Sequence, residues 1–197
     1  MTDIATSFNL KGTFWRKDPI LWHFRGATNK QLKLATVAFQ LWENYANINF
    51  QQSFENPNII ISFNTRIFPP VKNSVSEIHI NQNEDWNETL YYMSKDKLSL
   101  FIALAHEIGH AIGIDHSPIH QSFQSLMHSV YHKPTSPFNT EDFELSEDDQ
   151  LAVASLYGQR KIKKKSKTTT TTTTKRTIPP PHSSPPAKQA EKEKKKG

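Results

Sequence analysis

Cysteine is absent from the 197-residue chain. That excludes disulfides, thiolate metal sites and thiol nucleophiles. It does not fix the redox compartment, since a cysteine-free chain is stable in either environment. Long apolar runs are also missing. The longest, Leu100 to Ala105, falls far short of the roughly 20 residues that cross a bilayer. Residues 1–20 lack the basic start, apolar stretch and small-residue cleavage site of a secretory leader, so none is expected and the localisation stays open.

Charge of one sign is unevenly shared. Residues 160–197 hold 13 Lys and Arg against two acids, a net charge of +11, whereas residues 1–159 hold 11 basic and 17 acidic residues, a net charge of −6. The formal total of +5 therefore hides an acidic domain followed by a basic tail. The tail carries KIKKKSK, seven threonines (Thr168–Thr174), a Pro-rich piece and KEKKKG. Such a composition cannot build a core. The expected organisation is one folded domain over 1–159 and a disordered tail over 160–197.

Along the domain, Leu21–Arg25 reads as a short strand after an irregular start. Asn29–Asn47 has Leu34, Val37, Ala38, Leu41, Trp42 and Tyr45 at helical spacing, with Thr28 or Asn29 as cap. Residues 48–54 and 59–63 read as strands, and 77–81 (EIHIN) alternates as a half-buried strand does. Residues 98–112 are predicted as a helix that is apolar nearly all round, and hence buried. Residues 117–145 show little regular pattern. Ser146 can cap a last helix with Glu147, Asp148 and Asp149 in its first turn, and Gly158 can end it.

The stretch His106–Ser117, HEIGHAIGIDHS, is the chemically dense one. Four residues apart on a helix, His106 and His110 share a face. Gly113 can end that helix in a left-handed conformation, letting the chain turn so that His116 supplies a third nitrogen. Three protein ligands with an open fourth position is the set of a catalytic zinc site; structural zinc sites are closed by four. Glu107, directly after the first ligand, is placed to take a proton from water held there. The bland alternative is a buried helix that happens to carry histidines. The extended spacing HExxHxxGxxH, fixing five residues within eleven, favours zinc.

With these motifs on the page, residues 8–159 resemble the catalytic domain of matrixins, the matrix metalloproteinases, within the metzincin class of zinc endopeptidases. FIALAHEIGHAIGIDHS resembles the zinc block, SLMHSVY the Met-turn, LSEDDQLAVASLYG the last helix and VAFQLWENYANINF the first helix and following strand. FPPVKNSVSEIHINQNEDW resembles the segment before the metal helix. The resemblance implies an α+β, zincin-like fold: a twisted mixed sheet of four to five strands with three helices. It implies zinc on His106, His110 and His116, and Glu107 as general base. It places Met127 beneath the metal, Ile102 and Tyr131 at the specificity pocket, and Asp149 as a support of the Met-turn.

Departures from the family pattern matter as well. The loop that usually holds a second zinc and calcium is shortened, and of the four structural-zinc ligands only His79 has a match. No structural zinc is expected. At the calcium position Asn81 and Glu84 stand where two carboxylates are usual, which weakens a hard-cation site. Ser129 replaces the proline after the Met-turn methionine. Seven residues precede the resemblance, so no propeptide is expected, and no second folded domain is expected after it.

Three classes of function compete. An active zinc endopeptidase acting on proteins or peptides, as a monomer, is favoured. A hydrolase-like binding module is disfavoured by the complete ligand set and Glu107. A protein acting through its tail would bind polyanions such as nucleic acid or an anionic surface. His120, His128 and His132 are read as solvated loop residues, and Asn87-Glu88-Thr89 fits the N-glycosylation pattern.

Overall fold

A computed structural model describes residues 9–64, 75–91, 96–117, 125–131 and 138–160. By contacts the chain divides into Met1–Lys163 and Lys164–Gly197, and the second unit lies outside the described residues, as does the expectation of disorder there.

Alternation dictates the first strand, β1 (Ile20–Phe24): Ile20, Trp22 and Phe24 are buried while Leu21 and His23 face the other way. Helix α1 (Asn29–Glu43) starts at Thr28 with a capping box. Thr28 Oγ1 accepts from the Gln31 N–H at 3.3 Å and the Gln31 side chain accepts from the Thr28 N–H at 2.8 Å, so two donors at the helix start are satisfied reciprocally. Strands β2 (Phe50–Gln52), β3 (Ile59–Asn64) and β4 (Ser76–Asn81) follow, and the sheet order is β2-β1-β3-β4 with every pairing parallel. The strand of opposite sense that a mixed sheet requires is not found among the described residues. A two-residue pair, β5 (Trp86–Asn87) with β6 (Leu98–Ser99), is also parallel.

Helix α2 (Leu100–Ala111) is shorter at its start than periodicity suggests, because Ser99 caps it: its Oγ accepts from the Ile102 N–H at 3.4 Å. Leu100, Phe101, Leu104, Ala105 and Ile108 are fully buried. They pack against α1, where the buried Trp42 Nε1 donates to the Ala105 carbonyl at 2.9 Å. Gly109 makes that approach possible, since a Cβ there would lie 2.8 Å from the Trp42 ring and closer still to the Met127 sulfur. A single turn of 3-10 helix, Thr140–Asp142, lies within the described residues 138–146. Helix α3 (Glu147–Tyr157) begins at the expected Ser146 cap and is followed by Gly158 at φ 78°.

Candidate metal centre

His106 and His110 lie one helical turn apart on α2, their ring centroids separated by 4.6 Å. The helix ends at Ile112, and Gly113 takes φ +106°, a conformation that L side chains rarely adopt. The Gly113 N–H donates to the His110 carbonyl at 3.2 Å and the Ile114 N–H to the Gly109 carbonyl at 3.0 Å. This turn brings His116 back, with centroids 4.6 Å from His110 and 5.4 Å from His106. One nitrogen from each of the three histidines lies within 4.8 Å of the others. This is the one such group of His, Cys, Asp or Glu donors among the described residues.

The donor chemistry fits a metal. His106 Nδ1 is 2.7 Å from the Leu126 carbonyl and His110 Nδ1 is 2.8 Å from the Ile114 carbonyl. Bonding to a carbonyl places a proton on Nδ1 and leaves Nε2 as a lone pair, the arrangement that orients metal-ligating histidines. His110 Nε2 and His116 Nε2 are 3.0 Å apart, close to the roughly 3.3 Å expected of two nitrogens bound to one tetrahedral zinc ion. Burial lowers the His110 pKa to about 4 against the opposing carbonyl bond, and lowers that of His116 as well. Both are therefore neutral near pH 7, the state a ligand needs. The Glu107 carboxylate lies close enough to His116 to act on its charge.

A family model of matrixins matches residues 65–158. Matrix metalloproteinase-25 of Mus musculus is 26% identical over 180 residues, covering 77% of this chain and 28% of the relative. Stromelysin-2 of Rattus norvegicus is 29% identical over 141 residues, and interstitial collagenase A of Mus musculus 28% over 139, covering 62% and 61% of this chain. Over residues 65–158 this chain is similar to the matrixins. It spans little more than a quarter of the length of these relatives, 28% and 27%. The family implies zinc, and the histidine triad is able to bind a metal.

In this matrixin-like domain the turn around Met127 lies against α2 at Gly109 and is held from α3. The buried Asp149 carboxylate accepts from the Leu126 N–H at 2.7 Å, Ser125 Oγ at 2.7 Å, Ser146 Oγ at 2.7 Å and the Met127 N–H at 3.3 Å. Leu126 is the residue whose carbonyl orients His106, so Asp149 reaches the triad through one backbone unit. Met127 is fully buried. Ile102, on α2, is 8% exposed, and the half-buried Tyr131 hydroxyl accepts from the Ser99 N–H at 3.1 Å, which ties Tyr131 to the helix start.

One expectation is corrected. His128 is buried rather than solvated, because the Ser117 N–H donates to the Met127 carbonyl and bridges the two segments there. Asn87 is buried and its Oδ1 accepts from the Thr89 N–H and hydroxyl, which is not the exposed placement a glycan acceptor needs. The N-terminal stretch, read as irregular, forms no helix or strand over residues 9–19, and it is bonded to the end of α2: Trp15 Nε1 donates to the Ala111 carbonyl at 2.8 Å. No local pattern marks that bond, since its partners are 96 residues apart. His79 lies on β4 with its ring beside Asn64, Ser62 and Glu77. His120 and His132 lie outside the described residues.

Proposed function

We propose that residues 1–159 form a zinc-dependent endopeptidase that hydrolyses peptide bonds of protein substrates. The observation that carries this reading is the convergence of three imidazoles on one point, two of them held by main-chain carbonyls, with Glu107 alongside. His106, His110 and His116 would hold one ion. Zinc in that place would act as a Lewis acid and bring the pKa of coordinated water down to about 7. Glu107 takes one proton from the attacking water; the hydroxide oxygen bonds to the carbonyl carbon. Glu107 then passes that proton to the departing amine as the C–N bond breaks. Met127 shapes the floor and takes no part in the chemistry.

The peptide lies extended along an edge strand, where main-chain pairing accepts any sequence. Ile102 and Tyr131 shape the main pocket, and an uncharged residue of middling size at 102 favours apolar side chains just after the scissile bond. One tightly held zinc ion is expected; the Asn81 and Glu84 pair leaves calcium weak. The protein acts as a monomer, and residues 160–197 tether it to polyanions. The test is cleavage-site profiling of the purified protein with and without chelator. Glu107→Ala is expected to keep zinc and lose cleavage, and full turnover by that variant would overturn the mechanism.

A further inference from the structure

We propose that residues 9–15 are a strap that positions the third metal ligand, with Asn9 and Trp15 as its positioning residues. This rests on the zinc reading above. His106 and His110 ride on a helix, and each has a ring nitrogen held by a main-chain carbonyl. His116 rides on a loop, is exposed, and among the described residues its ring hydrogen-bonds only to His110. Its placement is therefore set by the loop, and the loop by whatever holds residues 111–116.

The last carbonyls of a helix have no partner within it. Here the Ala111 carbonyl accepts from Trp15 Nε1 at 2.8 Å. The Ile112 carbonyl accepts from the Tyr157 hydroxyl at 2.7 Å, and that hydroxyl accepts in turn from the Trp15 N–H at 3.2 Å. The Gly113 carbonyl accepts from the Lys11 N–H at 2.9 Å, and Leu10 bridges Ile114. The Asp115 N–H donates to the Asn9 carbonyl at 2.9 Å, and Asn9 Nδ2 donates to the carbonyl of His116 itself at 3.1 Å. The Thr13 carbonyl fills the space where a side chain at Gly113 would start. Residue by residue, the turn that carries His116 is bonded to the strap, so His116 and the strap move as one.

The experiment is a double-mutant cycle on zinc affinity, read by competition with a chromophoric chelator, alongside the visible spectrum of the cobalt(II)-loaded protein. Asn9→Ala removes one exposed side-chain bond, and Trp15→Phe removes the indole donor while keeping the ring. Each is expected to weaken zinc binding roughly 3- to 10-fold, the equivalent of one hydrogen bond, and to alter the cobalt spectrum. In a His116→Ala background neither should weaken binding further, because the ligand they position is gone. Zinc affinity within twofold of wild type in both variants, while wild type binds tightly, overturns the strap and leaves the zinc reading intact. Equal losses with and without His116 also overturn it, since the effect would then be on overall stability. A wild-type protein that binds no zinc overturns both.

Discussion

Asp149→Asn is the sharpest test of how the Met-turn is held. The wild-type carboxylate accepts four hydrogen bonds in a site 1% exposed. An amide keeps one acceptor oxygen and turns the other into a donor. If the new NH2 group takes the Oδ2 position, it meets the Leu126 N–H, donor against donor. If it takes the Oδ1 position, Ser125 can rotate its hydroxyl to accept, and the Met127 N–H retains Ser125 Oγ at 3.1 Å. The second orientation is therefore the one adopted. It loses the long bond from Met127 and the charge on the rest, which costs about 2–3 kcal/mol on the scale of hydrogen bonds to charged groups. Asp149→Ala also strands the buried Leu126 N–H and should cost about 3–5 kcal/mol. Urea unfolding followed by tryptophan fluorescence measures both. Zinc retention should fall in the same order, since the Leu126 carbonyl orients His106. An asparagine variant within about 0.5 kcal/mol of wild type, or an alanine variant no worse than it, would refute the argument.

Acid should act through His110. Its folded pKa of about 4 lies below the ordinary 6.5 because it is buried, so the unfolded chain binds more protons between those values. Stability then falls as pH drops from 6.5 to 4, by roughly 1–2 kcal/mol after discounting for its partial exposure. Urea unfolding of chelator-treated protein at pH 7 and pH 4.5 should show this, and an unchanged pH slope in His110→Ala would sink it. Gly113→Ala forces an unfavourable φ and drives a Cβ against the Thr13 backbone; it should cost about 1–3 kcal/mol and weaken zinc binding, and a variant as stable as wild type would show the strap yields freely. Removal of residues 160–197 should abolish salt-sensitive retention on a heparin column, and retention unchanged by that removal would assign polyanion binding to the domain instead.

The elements and the triad were legible in the sequence because each is a local pattern. Period-two alternation marks β1 and β4. Period 3.6 marks α1. The offsets of His106, His110 and His116, with a glycine between, encode the ligand turn without any long-range information. Ser146 and Gly158 announce α3 because capping is a contest over a few backbone groups at known positions. Boundaries were less legible: α1, read to Asn47, ends at Glu43, the strand read over 48–54 is Phe50–Gln52, and Leu98 and Ser99 pair with β5 before α2 begins.

The supports of the site were legible unevenly, for a physical reason. Asp149 came from family resemblance, and from helix-start chemistry alone it reads only as a favourable dipole charge. Its second task, accepting from the turn 22 to 24 residues earlier, depends on α3 docking against that turn. The strap is harder still to read. Trp15 looks like any aromatic, and Asn9 like any loop polar residue, until the metal loop supplies carbonyls for them. Backbone groups carry no sequence signal, so a side chain that serves a distant backbone has no partner residue type to betray it. The triad is thus specified by side chains but held by main chain. His106 depends on the Leu126 carbonyl, His110 on that of Ile114, and the loop under His116 on bonds to Asn9, Lys11 and Trp15. Substitutions at these supports should therefore act on metal affinity in proportion to the backbone bond each one breaks, and not to their distance from the histidine rings.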